Sequence, residues 1–137
     1  MKIEISDVQN RSDYLFVNSI SALNILCSDG EATEIIVDDI LSKFAYDEIP
    51  LIIKKICSKL KNGGRICIYI TDVCLLARDL SQEFISVREF NQILYTNNFK
   101  SFLDTAYILQ CLSECNIKIQ TKQIKKNTSI ITGIVNE

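Results

Sequence analysis

The chain of 137 residues contains no histidine. Histidine is the usual general base near neutral pH and a frequent metal ligand. Its absence excludes Ser-His and Cys-His nucleophile pairs and histidine metal sites. Any chemistry must therefore use carboxylates, tyrosines, thiols, lysines or backbone groups, and we expect no bound metal.

Long apolar runs and a strong charge imbalance are also absent. No apolar stretch approaches the roughly 20 residues that span a membrane, so we expect no membrane partner. The net charge is only −2, which gives no electrostatic footprint for nucleic acid. With 47% apolar and 23% charged residues, the composition predicts one globular domain over residues 1–137.

The six cysteines show no metal-ligand spacing, and the chain has no secretory signal. Most lie in apolar runs, which favours free thiols in a core. An alternative is that Cys111 and Cys115, four apart on a predicted helix, approach each other. Free thiols are typical of a reducing compartment, so we expect a cytoplasmic protein.

Short apolar runs bounded by polar turns predict strands at residues 2–5, 14–17 and 34–37, with another extended piece at 23–26. Residues 47–61 have helical apolar spacing with Pro50 in the first turn, and Gly63-Gly64 is expected to end that helix. A buried strand at 65–71 follows.

The C-terminal half predicts two further helices and two strands. Ser86 and Glu89 form a capping box for a helix reaching Tyr95, and a second helix covers residues 104–115 with Asn116 as its cap. Strands at 117–120 and 129–135 flank a lysine-rich turn and are expected to pair antiparallel. The order predicts an α/β fold with a mostly parallel sheet and an antiparallel C-terminal strand.

Several segments occur in the order and spacing of a known family. They read ILCSDGEATEI, IVDDILSKF and LKNGGRI, followed by a strand that ends in Thr71-Asp72. SVREFNQILY and LSECNIKI extend the match. The chain thereby resembles the small class I S-adenosylmethionine-dependent methyltransferases of polysaccharide gene clusters. The resemblance implies a Rossmann-like methyltransferase fold with a reduced N-terminal half, and a small-molecule or saccharide substrate.

The resemblance also implies where S-adenosylmethionine would bind, and there the chain departs from the family. The family has a glycine-rich turn after the first strand, whereas this chain has Ser6 and Asp7 and no glycine before Gly30. Asn18 stands where an acidic residue binds the ribose. We expect these three residues and Asp29 to be the cofactor contacts, with binding weakened by the lost glycines.

Three aspartates follow predicted parallel strands, whose carboxyl ends form the ligand-binding edge of such sheets. Asp38, Asp39 and Asp72 are candidate general bases because neighbouring carboxylates raise one another's pKa. The alternative is that they cap helices or form a solvated rim. Tyr95 is a candidate for the same crevice, with core packing as its alternative.

Two functions follow. The first is a methyltransferase-like protein, degenerate at its cofactor site, that acts on a small molecule or saccharide. The second is a non-catalytic module that binds a partner, with a homodimer as one form, because a shortened N-terminal half would expose apolar sheet surface. The short N-terminal part fits a natural fragment, a domain of a larger protein or a degenerate gene product.

Overall fold

The computed structural model describes residues 1–96 and 98–136. They form a six-stranded sheet in the order β2-β1-β3-β4-β6-β5. The strands are β1 (Lys2–Ile5), β2 (Leu15–Val17), β3 (Ala32–Asp38), β4 (Leu60–Thr71), β5 (Ile117–Lys125) and β6 (Thr128–Val135). The helices are α1 (Ile20–Leu26), α2 (Ile49–Ser58), α3 (Val73–Ser81), α4 (Val87–Thr96) and α5 (Thr105–Ser113).

The first four strands of the chain are parallel, and β6 pairs antiparallel with both β4 and β5. The expected α/β class and the antiparallel C-terminal hairpin are therefore confirmed. The Ser86–Glu89 capping box forms. Helix α5 has Glu114 as its C-cap rather than the predicted Asn116, which lies two residues farther along with a φ of 60°.

One face of the sheet is covered by helices. The connections from β2 to β3 and from β3 to β4 cross the sheet in the same direction, so right-handed crossovers place α1 and α2 on the same face. The buried core lies between these helices, α5 and the strands. Its fully buried strand residues include Ile3, Ile5, Ile35, Val37 and Ile68.

The opposite face carries a loop instead of a helix. The connection from β1 to β2 runs the other way across the sheet, and residues 6–14 make it without helical structure. Arg11 from this loop lies over the ring of Tyr69, 5.5 Å from its centroid, and Lys2 lies 5.6 Å from the ring centroid of Tyr14. Strand alternation places Glu4, Glu34 and Arg65 on this face together with Ile36 and Cys67, so polar and apolar side chains share it.

The structure differs from the prediction in the type of one element and in one additional helix. Residues 23–26 belong to α1 rather than to an extended piece, because the Ser19 hydroxyl accepts a hydrogen bond from the Ala22 N–H and caps the helix. Helix α3 was not predicted at all. It begins after Asp72, whose carboxylate accepts hydrogen bonds from the N–H groups of Cys74 and Leu75.

The glycine pair also has a different role from the one expected. Helix α2 ends at Ser58, and Gly63 and Gly64 lie within β4. A Cβ on Gly64 would lie 2.8 Å from the Lys61 carbonyl oxygen and 3.2 Å from that of Ala32. Gly64 is thus needed for the close approach of β4 to β3, rather than for ending the helix.

Candidate functional site

The carboxyl ends of β1 and β3 border a cleft of about 300 Å³, here called the carboxyl-edge cleft. This is the edge at which open parallel sheets bind ligands. Its polar and charged lining comes from the loop after β1, the end of β3 and the short 3₁₀ helix Leu41–Lys43. The lining residues are Ser6, Asp7, Val8, Asn10, Asp38, Asp39 and Lys43.

The turn after β1 is closed by its own side chains. Ser6 is buried, its N–H donates to the Val17 carbonyl over 3.2 Å, and its hydroxyl donates to the Val8 carbonyl over 2.7 Å. The carboxylate of Asp7 forms an ion pair with Lys43. The structure therefore brings two predicted cofactor residues into the cleft, but both already have partners within the chain.

Asp38 belongs to a charged group centred on Arg11. The Arg11 guanidinium lies 3.1 Å from the Asp38 carboxylate and 2.5 Å from that of Glu4. Glu4 also accepts hydrogen bonds from the backbone N–H groups of Asn10 and Arg11. Burial acts to lower the pKa of Arg11, but its bonds to the two carboxylates outweigh this and raise it. Asp38 is therefore held as the ion-pair partner of a permanently charged arginine.

Asp39 is the carboxylate with the strongest case for proton transfer. Its backbone has a φ of 54°, and its N–H donates to the Tyr69 carbonyl over 3.0 Å. Burial and the neighbouring Asp38 raise the pKa of Asp39 to about 6, although hydrogen bonds from Thr71 act in the opposite direction. A carboxyl group with this pKa exchanges its proton close to neutral pH.

Asp72 lies at the end of β4 and is buried. One carboxylate oxygen caps α3, and the other accepts from the Thr105 N–H at 2.9 Å and hydroxyl at 2.6 Å. Burial would raise the pKa of Asp72, but the bonds from Thr105, Leu75 and Cys74 lower it overall. These contacts favour the capping alternative for this predicted base.

Asp29 and Asn18 lie outside the cleft lining. Asp29 precedes β3 and lies 2.9 Å from Lys59, whose carbonyl accepts from the Ala32 N–H. This is the amino-terminal edge of the sheet, so the expected position of Asp29 beside the other site residues was wrong. Lys59 is itself buried. Asn18 follows β2 and is exposed.

A larger groove of about 750 Å³ adjoins the cleft, with Lys43 lining both. Its walls are largely aromatic and aliphatic, and Tyr95 is 80% exposed there, which favours the crevice prediction over core packing. Behind it, the buried hydroxyls of Ser42 and Ser101 lack a hydrogen-bond partner among the described residues. The groove residues are Lys43, Leu94, Tyr95, Asn98, Phe99, Lys100 and Phe102.

Sequence reasoning missed five of the residues that shape the cleft and the adjoining groove. Arg11 and Asn10 lie in a loop without a motif, and their contacts to Glu4 and Asp38 join distant parts of the chain. Lys43 had a signal, because it replaces a histidine of the family pattern in IVDDILSKF. Phe99 and Phe102 follow α4 and had none.

The sheet order and the crossovers define a Rossmann-like α/β fold. Within that class, the chain has the fold of class I S-adenosylmethionine-dependent methyltransferases. A Burkholderia thailandensis O-methyltransferase family protein superposes with a TM-score of 0.61 at 15% identity over 91% of this chain. Magnesium protoporphyrin IX methyltransferase from Synechocystis PCC 6803, with bound S-adenosylhomocysteine, gives 0.61 at 13% identity over 90%.

The likeness establishes the fold and covers only part of each neighbour. This chain spans 36% and 52% of the lengths of those two structures. PH0226 protein from Pyrococcus horikoshii OT3 gives a TM-score of 0.61 at 15% identity, over 91% of this chain and 61% of its own. No protein-family model and no curated protein matches the sequence.

The residues after β1 do not provide the glycine-lined turn with which this fold approaches its cofactor. Ser6 fills the turn with a hydroxyl bonded to Val8, and Asp7 is held by Lys43. A cleft of about 300 Å³ is also at the small end of the range for ligand pockets. The site as built does not fit S-adenosylmethionine.

Proposed function

We propose that this protein is a degenerate methyltransferase-like protein. It retains the ligand-binding edge of the fold for a small polar molecule or saccharide, and it has lost tight binding of S-adenosylmethionine. The groove beside Lys43 supplies exposed aromatic and cationic side chains for such a ligand, while the carboxyl-edge cleft supplies carboxylates.

The observation that carries this proposal is the closed turn after β1. Binding a nucleoside cofactor there would require the Asp7–Lys43 ion pair to open and the Ser6 side chain to move away from Val8. The free energy needed to open the ion pair and to move the Ser6 side chain makes the net binding free energy of the cofactor less favourable. Affinity for the cofactor is therefore expected to be weak.

Calorimetric titration with S-adenosylmethionine and S-adenosylhomocysteine tests the proposal. We expect no heat of binding up to millimolar concentration for the wild-type chain. The same titration of Lys43→Gln asks whether opening the ion pair restores weak binding, and Lys122→Gln, on the distant strand β5, is the matched control. Micromolar binding to the wild-type chain would overturn the proposal and support an active enzyme.

An active methyltransferase is the second candidate, and Asp39 is the observation that favours it. Methyl transfer needs a positioned nucleophile and a base for its proton. Of the three predicted bases, Asp38 forms an ion pair with Arg11, and the Asp72 carboxylate accepts four hydrogen bonds. Asp39, by contrast, has a pKa of about 6. We therefore assign the base in this candidate to Asp39.

Methyl transfer to a panel of small alcohols, amines and saccharides separates the two candidates. An active enzyme should incorporate methyl groups with a rate that rises with pH through about 6, because Asp39 must be deprotonated. Asp39→Asn should lower that rate by about 10²–10⁴-fold. Absence of incorporation across the panel supports the degenerate protein.

Association with a second copy, one form of the non-catalytic module, stays a prediction. Polar and apolar side chains share the sheet face that carries the loop of residues 6–14. Light scattering over a range of protein concentrations measures the mass directly. A mass that stays at 15.6 kDa at high concentration would exclude the homodimer.

A further inference from the structure

Two cysteines that play no part in the site lie in contact across a helix pair. Cys57 is near the end of α2 and is buried, and Cys115 follows α5 and is partly exposed. Helices α2 and α5 pack against each other, Cys115 packs against the core that includes Cys57, and the two side chains interact. We propose that Cys57 and Cys115 form a dithiol site that low-molecular-weight disulfides oxidise to a reversible disulfide linking α2 and α5.

The packing holds this contact in place. Cys57 belongs to the buried core and Cys115 packs against it. The N–H of Cys115 donates to the Leu112 carbonyl over 3.0 Å, and this bond fixes the backbone at the end of α5. Both cysteines therefore lie on neighbouring segments whose backbone is anchored.

Solvent reaches the pair at Cys115, which is the more exposed of the two cysteines. A surface cavity of about 350 Å³ is lined by Cys115 and Cys111, together with Lys54 and Glu114. Cys57 is not part of that lining. An incoming disulfide therefore meets Cys115 first, and Cys57 is placed behind it as the resolving thiol.

The local chemistry favours the same order of attack. The interaction with the Cys57 side chain lowers the pKa of Cys115 below that of a free thiol, with a smaller contribution from the charge of Lys54. Burial and Glu114 act in the opposite direction. The thiolate is the attacking form in exchange reactions. The interaction with Cys115 and burial both raise the pKa of Cys57, so Cys57 stays protonated until a mixed disulfide forms.

With oxidised glutathione as the oxidant, the reaction balances in two steps. The Cys115 thiolate attacks one glutathione sulfur, the glutathione disulfide bond breaks, and one glutathione thiolate leaves. Cys57 then loses its proton to solvent and attacks the Cys115 sulfur, which expels the second glutathione thiolate. The two protein thiols lose two electrons, and one glutathione disulfide becomes two reduced glutathiones.

Peptide mapping of the oxidised full chain tests the proposal. The protein is incubated with oxidised glutathione at neutral pH, the remaining thiols are alkylated, and disulfide-linked peptides are measured by mass spectrometry. We expect the Cys57–Cys115 link in about tenfold excess over a Cys111–Cys115 link. Dithiothreitol should reverse it. Dominance of the Cys111–Cys115 link, or no link in the folded wild-type chain, would overturn the proposal.

Serine variants then distinguish the two roles. Cys57→Ser should stop at a glutathione adduct on Cys115, and Cys115→Ser should give neither the adduct there nor the link. Cys111→Ser is the matched control and should keep the Cys57–Cys115 link. Cys74 is exposed on α3, so its glutathione adduct serves as an internal reference for unassisted reaction.

Discussion

The guanidinium of Arg11 lies 2.5 Å from the carboxylate of Glu4, whose side chain is fully buried. Removing one partner of a buried ion pair leaves an uncompensated charge. We expect Arg11→Met to lower the free energy of unfolding by about 3–5 kcal/mol. Urea denaturation followed by circular dichroism measures this loss.

The matched control for Arg11 is Arg78→Gln. Arg78 lies 3.6 Å from Asp79 on the exposed side of α3, and surface pairs of this kind contribute about 0–1 kcal/mol. If Arg11→Met lowers the free energy of unfolding as little as the control does, the Arg11–Glu4 ion pair does not form in solution.

Asp39 should make the protein less stable as the pH rises. Its pKa is raised from 3.8 to about 6 in the folded chain, so the unfolded chain binds fewer protons between these values. Stability then falls from about pH 4 to about pH 6 and stays constant above. Asp39→Asn should remove this loss and raise the free energy of unfolding by at most about 3 kcal/mol above pH 6. Asparagine tolerates the positive φ of this position.

Thermal unfolding between pH 3.5 and 8 checks the Asp39 prediction. The difference between Asp39→Asn and wild type should vanish below about pH 4, where both states of the wild type are protonated. Asp13→Asn, at an exposed position in the loop after β1, is the control. A constant difference at all pH values would mean that the burial of Asp39 does not perturb its ionisation.

Asp72 should behave in the opposite way. Its pKa is lowered by hydrogen bonds from Thr105, Leu75 and Cys74, so its contribution is present above an unfolded-state pKa of about 4 and is lost as the pH falls through the folded-state pKa. We expect Asp72→Ala to cost about 2–4 kcal/mol at pH 7.

The variant Asp72→Asn separates capping from charge. The amide oxygen can still cap α3, but the amide N–H₂ then faces the two donors of Thr105. The loss of unfolding free energy caused by Asp72→Asn should therefore be present at pH 7 and should shrink as the pH falls below about 4. An effect of Asp72→Asn on ligand binding with unchanged stability would instead favour the predicted catalytic role.

The parts of the fold that were predicted are those with local signals. The capping box at Ser86 and Glu89 and the apolar spacing of α2 both act within a few residues. Helix α3 was missed because its cap, Asp72, follows a strand and resembled a ligand-binding residue. Sequence position alone does not show that Thr105 lies beside it.

The candidate site depends on contacts between distant residues, so less of it could be predicted. The end of β3 was identified correctly as part of the cleft, because parallel strands bring their carboxyl ends together. Asp29 was misplaced because its motif match gave no information on which edge of the sheet it occupies. The pairing of Asp7 with Lys43 joins two loops that only the folded sheet brings together.

Gly64 gives a final test of the glycine pair. A Cβ at Gly64 would meet the backbone oxygens of Lys61 and Ala32 at 2.8 and 3.2 Å. Backbone cannot move aside without disturbing the pairing of β3 with β4, so Gly64→Ala should cost about 1–3 kcal/mol. Urea denaturation measures this loss as well.

Gly30 is the control, because its backbone conformation, and not a close contact, favours glycine there. It has a φ of +74° with nothing within 4 Å of an added Cβ, so backbone conformation alone limits the substitution. Asparagine adopts positive φ more readily than alanine, and Gly30→Asn should therefore be milder than Gly30→Ala. At Gly64 the larger asparagine side chain gives no such relief, and Gly64→Asn should cost at least as much as Gly64→Ala. If asparagine were milder than alanine by the same amount at both positions, backbone conformation, rather than the close approach of the strands, would be the reason for glycine at position 64.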